Sequence, residues 1–343
     1  MKKGKICFLV CMLMISATVV PISAQGISKT ASAPLMTGTI FYVGGVGPNN
    51  YTTIQDAIDN ASDGDTVFVF DDSSPYQENI IVDKSISLVG ENRTTTVIDG
   101  GEPSDSVVLR ADRVTLQGFT LTHTTGKHYG VRVGSFHNII QGNIITNNMI
   151  GIHLIDVDAN IIDDNILTEN SYGGIYQYAC DDTRITNNTI SGVEQTGGVC
   201  IYYESHRALI TYNTISGNTA GIAIAQSNDN TVSHNNVIGN TIGVDIDMGS
   251  NNLITQNNIQ KNVKPVMVSG LSWHLATARW FHNIFDGNYW GRPTVLFKPI
   301  LGVIILTYDV HDNGRMGLGF RLLGFLPVLK FDYHPAQTPY DLG

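Results

Sequence analysis

Between residues 158 and 213 this 343-residue chain gathers side chains suited to handling a sugar. Asp163, Asp164, Asp181, Asp182 and Glu204 stand among Tyr172, Tyr176, Tyr178, Tyr202, Tyr203 and Tyr212, with His206 and Arg207 beside them. Aromatic faces stack on pyranose rings, and two carboxyl groups flanking a glycosidic bond can cleave it. Neighbouring residues of a strand point to opposite faces, so neither Asp doublet is a catalytic pair by itself. Any pairing has to run between strands. The groove expected for a glycan comprises Tyr176, Tyr178, Asp181, Asp182, Tyr202, Glu204, His206 and Arg207. The plainer alternative is that the tyrosines pack, with their hydroxyls reaching solvent.

Metal chemistry is less well served. His153, Cys200, Asp245 and Met267 occupy equivalent repeat positions and fall in one outward column. His153 and Cys200 are two repeats apart, ~10 Å for stacked strands, which is too far to share an ion. Asp156 with Asp158, or Asp245 with Asp247, could offer oxygens to calcium, though no calcium repeat motif is present. No metal site and no cofactor are therefore expected, with calcium or copper the alternatives. Cys180 and Cys200 lie in adjacent repeats but different columns, which leaves a disulfide and two free thiols both open.

These residues are positioned by a repeat. Asn143-Ile-Ile-Thr-Asn-Asn148, Asn165-Ile-Leu-Thr-Glu-Asn170, Asn188-Thr-Ile-Ser-Gly, Asn213-Thr-Ile-Ser-Gly-Asn218, Asn235-Asn-Val-Ile-Gly-Asn240, Asn257-Asn-Ile-Gln-Lys-Asn262 and Asn283-Ile-Phe-Asp-Gly-Asn288 align. The leading Asn recurs at intervals of 22, 23, 25, 22, 22 and 26 residues. Each unit holds three short segments with period-2 apolar spacing, separated by Asn, Gly and Ser. That describes a coil with three faces, and stacked coils form parallel sheets.

The fold class expected is thus all-β: a single-stranded right-handed parallel β-helix of about 9–10 coils of ~22 residues. One inward column reads Ile145, Leu167, Ile190, Ile215, Val237, Ile259 and Phe285. Gly151, Gly198, Gly221 and Gly243 precede the third strand and are expected to supply the conformation of a bend. Asn143, Asn165, Asn188, Asn213, Asn235, Asn257 and Asn283 are expected to form a ladder, each amide donating to its counterpart one coil on. A blander account is that Asn merely tolerates left-handed turns.

The ends differ from the repeats. Residues 1–24 combine Lys2, Lys3 and Lys5, an apolar run from Ile6 to Val20 and a cleavage point after Ala24. A signal peptide is expected, followed by a linker over 25–37; a retained anchor is the alternative, although the run falls short of the ~20 residues that span a bilayer. Without residues 1–24 the chain holds 17 basic and 30 acidic residues, a net charge of −13, which disfavours nucleic acid as a partner. Over 38–65 a strand and a capping helix are expected, with Ile54, Ala57, Ile58 and Ala61 on one helical face and Thr52 with Gln55 as capping box. The β-helix should then run over 66–290. A C-terminal β cap over 291–343 is expected to pair Thr294–Tyr308 with Met316–Phe331.

Several motifs carry a resemblance. Tyr51-Thr-Thr-Ile-Gln-Asp-Ala-Ile58, Asp63-Gly-Asp-Thr-Val67, Pro75-Tyr-Gln-Glu-Asn-Ile80 and Ile86-Ser-Leu-Val-Gly90 resemble the start of pectin-methylesterase-type β-helices and of NosD-like periplasmic proteins. The Asn-rich coils ending in Gly287-Asn-Tyr-Trp290 are more similar to the NosD-like side, and Phe331-Asp-Tyr-His-Pro-Ala336 resembles the tail of secreted archaeal β-helix proteins. The resemblance implies an exported β-helix of the envelope, extracellular or periplasmic. The paired-aspartate motifs of the esterases, and the signatures of polygalacturonases and pectate lyases, do not follow in this chain. The expectation is a non-enzymatic scaffold whose partners are extracellular glycans or surface proteins. The alternatives are a polysaccharide-active enzyme and, from the NosD-like resemblance, a copper-handling periplasmic protein.

Overall fold

The computed structural model describes residues 38–101, 104–122, 128–272, 282–291, 298–309, 320–332 and 334–342. The signal peptide and linker expected over 1–37 lie outside the described residues.

The chain winds into a right-handed parallel β-helix of about ten turns, at ~23 residues per turn. A typical coil runs Ile139–Gln141 on face 1, Ile144–Thr146 on face 2 and Ile150–Ile155 on face 3. Each strand pairs in parallel with its counterpart one coil later; Ile140 registers with Ile162, Ile145 with Leu167 and Ile152 with Ile175. The three inward columns meet in one continuous core from Val43 to Trp290.

The Asn residues stand at the corners. Corner one precedes face 1, corner two separates faces 1 and 2, and corner three separates faces 2 and 3. At corner two Asn188 donates its N–H (2.9 Å) and its Nδ2 (3.0 Å) to Asn213 Oδ1. Its Nδ2 also reaches Ile162 O (2.9 Å) and Thr186 O (2.8 Å). Each buried carboxamide thus continues the backbone ladder where the strands cannot. The left-handed residue is the one before each ladder Asn: Asp164, Asn187, Tyr212, His234 and Gln256 all have φ between 52° and 58°. Tolerance of a left-handed turn therefore does not explain the ladder Asn.

Four expectations need correction. The corner-two column runs through Asn143, Asn165, Asn188, Asn213, Asn235 and Asn257 to Asn288, and Asn283 instead accepts from Asn252 at corner one. Phe285 accordingly registers with Ile254 on face 1, and not with Ile259. Corners one and two both carry an Asn, five residues apart, so aligning on one Asn can slip to the other; the last step at corner two is 31 residues.

Gly151, Gly198, Gly221 and Gly243 have no positive φ. Their role is close approach: a Cβ on Gly221 would lie 2.6 Å from both Gly243 O and Val237 Cγ1. The N-terminal helix spans Ile54–Asn60 and its cap is not Thr52 but Thr53, whose Oγ1 accepts from Asp56 N.

Both ends of the core are closed by side chains from elsewhere. The Glu78 carboxylate accepts from Ile54 N (2.9 Å) and Gln55 N (3.0 Å), neutralising the helix N-terminus. Gln55 in turn accepts from Ile81 N, satisfying the edge of the first face-3 strand. At the other end the buried Asp332 accepts from Asn288 N (2.9 Å) and Trp290 Nε1 (3.0 Å), terminating corner two. The expected terminal pairing is an antiparallel hairpin of Lys298–Asp309 with Phe320–Asp332.

Candidate functional site

Six successive segments on face 3 read Gly, apolar, x, apolar or Gln: Gly130-Val-Arg-Val, Gly151-Ile-His-Leu, Gly174-Ile-Tyr-Gln, Gly198-Val-Cys-Ile, Gly221-Ile-Ala-Ile and Gly243-Val-Asp-Ile. The Gly position is too tight for a side chain, and the flanking apolar positions point inward. The third position therefore points out. Register places Arg132, His153, Tyr176, Cys200, Ala223, Asp245 and Met267 in one outward column, ~4.8 Å apart. Ile81 and Val108 extend it toward the N-terminus.

Aromatic rings follow one another along this wall. Tyr129 and His153 have centroids 4.5 Å apart, His153 and Tyr176 5.6 Å, and Tyr176 and Tyr202 5.1 Å in an edge-to-face arrangement. Tyr178 stands beside Tyr202 in the next outward column and stacks on Tyr203 at 4.8 Å. The Arg132 guanidinium lies 5.0 Å from the Tyr129 ring centre, and its Nε is 2.7 Å from the buried Asp105 carboxylate. Asp105 also accepts from Tyr129 N, which fixes that ring's strand against the ion pair.

Burial sets the chemistry of these groups. It lowers His153 to about 4, with the Arg132 charge adding to the shift and Asp105 opposing it. Tyr176 is pushed up to about 12 by burial, and Tyr202 is raised further by the same cause. At the opposite end burial, then the neighbouring Asp247 charge, raise Asp245 to about 6, against Lys264. At neutral pH the middle of the wall is an uncharged aromatic strip. Its N-terminal end carries arginine and its C-terminal end carries carboxylates.

The side chains expected to form the groove divide into two groups. Tyr176, Tyr178 and Tyr202 belong to the wall. Asp181, Asp182, Glu204, His206 and Arg207 lie in the turns between face 3 and corner one. There Arg207 Nε bonds Asp182 Oδ1 (2.8 Å), and its Nη2 bonds Asp181 Oδ2 and Asp182 Oδ2 (both 2.9 Å). Hydrogen bonding to Arg207 holds Asp182 below the ordinary carboxylate value. Asp181 Oδ1 accepts from His206 N, and His206 Nδ1 accepts from Asn228 N. Glu204 sits exposed at a left-handed turn, its N–H bonded to Gln226 O. These charges clamp one coil to the next. Asp105, Tyr129 and Arg132 were not anticipated, and His153 was weighed only as a metal ligand; the outward position of the Gly-apolar-x-apolar pattern was the signal that marks Arg132 and His153.

Cys180 and Cys200 are free and buried. Burial raises each thiol to about 11, so neither is a thiolate.

The family described as periplasmic copper-binding protein (NosD) matches residues 58–295, and the chain belongs to that family. Among solved structures it is similar to the A-module of mannuronan C-5 epimerase AlgE6 from Azotobacter vinelandii, at 18% identity and TM-score 0.53, covering 70% of this chain and 82% of that one. The Dettilon tailspike protein matches at 14% identity and TM-score 0.54, covering 74% and 59%. The GH136 lacto-N-biosidase from Eubacterium ramulus matches at 13% identity and TM-score 0.52, covering 73% and 60%. At these identities the likeness is one of fold. The chain spans about three fifths of the latter two proteins. No curated protein matches it.

A resident copper ion does not fit the described residues. No group of three His, Cys, Asp or Glu converges among them, and the soft donors Cys200 and Met267 are three strands apart in their column. Among the described residues no helix is long and apolar enough to cross a membrane.

Proposed function

We propose that this chain is an exported protein of the cell envelope that binds a glycan strand lengthwise on face 3 without transforming it. The aromatic row Tyr129, His153, Tyr176 and Tyr202 carries the reading. Sugar rings stack on such faces, and the strand spacing of ~4.8 Å is close to the length of one sugar residue. Export is supported by the charged and apolar N-terminal stretch and by the periplasmic description of the family.

Proton transfer is poorly served by the same groups. His153 near 4 is a weak base at neutral pH, and Tyr176 near 12 keeps its proton. Asp181 and Asp182 are engaged by Arg207. A glycan array probed with the mature protein tests the reading, with Tyr176→Ala and Tyr202→Ala as controls. Each is expected to weaken binding about tenfold while leaving the melting curve close to that of the parent. Absence of binding to both acidic and neutral glycans would overturn the proposal. Product release from a polysaccharide panel would overturn its non-enzymatic part.

A further inference from the structure

At the N-terminal end of the wall the outward column Ile81, Val108 and Arg132 opens into a pocket of about 370 Å³, lined also by Asn79, Asp105 and Arg110. Asp105 is a buried carboxylate, its side chain 4% exposed, and Arg132 is bound to it through Nε. That leaves the outer edge of the Arg132 guanidinium facing the pocket side, with the side chain 46% exposed. Arg110 makes no ion pair among the described residues and is exposed. Two guanidinium groups against one carboxylate give the pocket a surplus positive charge on a chain whose formal net charge is −10. At the far end of the same column Asp245 and Asp247 stand in adjacent outward positions. The wall therefore has an electrostatic direction, cationic beside Tyr129 and acidic beyond Ala223.

Resting on the glycan-binding reading, we infer that the bound glycan is acidic, and that Arg110 and Arg132 receive an anionic substituent, carboxylate or sulfate, of a residue at the N-terminal end. The planar fork of arginine matches both anions, and a buried carboxylate behind Arg132 fixes that fork in place. Asp105 is thus a positioning residue. The next sugars along the strand stack on Tyr129, His153 and Tyr176. Asp245 and Asp247 repel an anionic unit placed on them, which sets the orientation of the chain.

Titration calorimetry with the full mature protein tests this, using oligogalacturonate, the same oligosaccharide after carboxyl reduction, and a sulfated galactan oligosaccharide of equal length. Oligogalacturonate is expected to bind at least about tenfold tighter than its reduced form, with affinity falling as salt rises. Arg110→Gln, which breaks no ion pair among the described residues, should erase about tenfold of that preference and leave binding of the reduced form unchanged. Arg132→Gln should do the same, with partial recovery in Arg132→Lys. Tighter binding of the sulfated galactan would identify sulfate as the substituent and still support the site. Equal affinity for acidic and reduced forms, or no effect of Arg110→Gln, would overturn this inference while leaving glycan binding intact. No binding of any of the three would overturn both.

Discussion

Corner two and face 3 belong to the same coils yet treat polar atoms in opposite ways. Along corner two each carboxamide from Asn143 to Asn257 donates to the next, each after Asn143 receives from the one before, Asn143 itself accepts from Phe119 N, and Asp332 closes the column. Among the described residues, the buried side-chain atoms without a hydrogen-bond partner are His153 Nδ1, Gln177 Oε1, Thr183 Oγ1 and Asp245 Oδ1. Three of these belong to face 3 and the fourth to corner one, where Thr183 and Ala208 stand in place of Asn. Unsatisfied buried groups cost stability, so a fold that gathers three of the four on face 3, with His153 and Asp245 at outward positions, gives up stability mainly where the ligand surface lies. The corners hold the coil, and face 3 is free to carry function.

The sharpest way to break this contrast is to remove one rung. Asn188→Ala deletes the three hydrogen bonds donated by Nδ2, leaves the N–H of Asn165 without its acceptor and leaves the Asn165 Nδ2 with Ile140 O alone. Orphaned buried amides cost ~1–3 kcal/mol each, so a loss of about 4 kcal/mol in unfolding free energy is expected. Denaturant titration measures it. A loss under about 1 kcal/mol would mean that the core columns, and not the ladder, carry the coil.

The two ends of the wall should respond to pH in opposite directions. His153 is lowered from 6.5 to about 4, so above pH 6.5 it is neutral folded and unfolded. Below 6.5 the unfolded chain takes up the proton first, and stability falls as pH drops toward 4. Asp245 is raised from 3.8 to about 6, so as pH rises through that window the unfolded chain ionises first and stability falls. Both groups are partly open to water, which reduces each effect to about 1–2 kcal/mol. His153→Gln should stabilise the protein below pH 5 and do nothing at pH 8. Asp245→Asn should stabilise it at pH 7 and do nothing at pH 3. Identical pH profiles for both variants and the parent would remove the contrast.

The repeat made the coil legible, because period-2 apolar triplets and a recurrent Asn admit few other folds. What it could not fix was phase. An Asn every five residues marks more than one corner, and only the pairing of Phe285 with Ile254 shows that Asn283 follows Asn252. The site was half legible for a similar reason. Residue type drew the eye to Asp181, Asp182 and Arg207, but charged residues of opposite sign on adjacent coils satisfy one another. Arg132 and His153 looked isolated in the chain, and stacking brings them to consecutive rungs beside Tyr129 and Tyr176.

The smallest expected effect comes from repairing the break at corner one. Asn138 donates its N–H and Nδ2 to Asn160 Oδ1, but at the next coil Thr183 offers Asn160 no carboxamide. Thr183→Asn supplies that acceptor and removes an unsatisfied hydroxyl, while Ala208 on the following coil leaves its own Nδ2 without a next rung. One repaired hydrogen-bond pair, set against the extra volume at a fully buried position, gives a gain of about 1 kcal/mol in unfolding free energy. Destabilisation would show that corner one departs from Asn because the space under the Arg207 clamp is smaller than at corner two. In that case packing set the interruption, and the missing amide is its consequence.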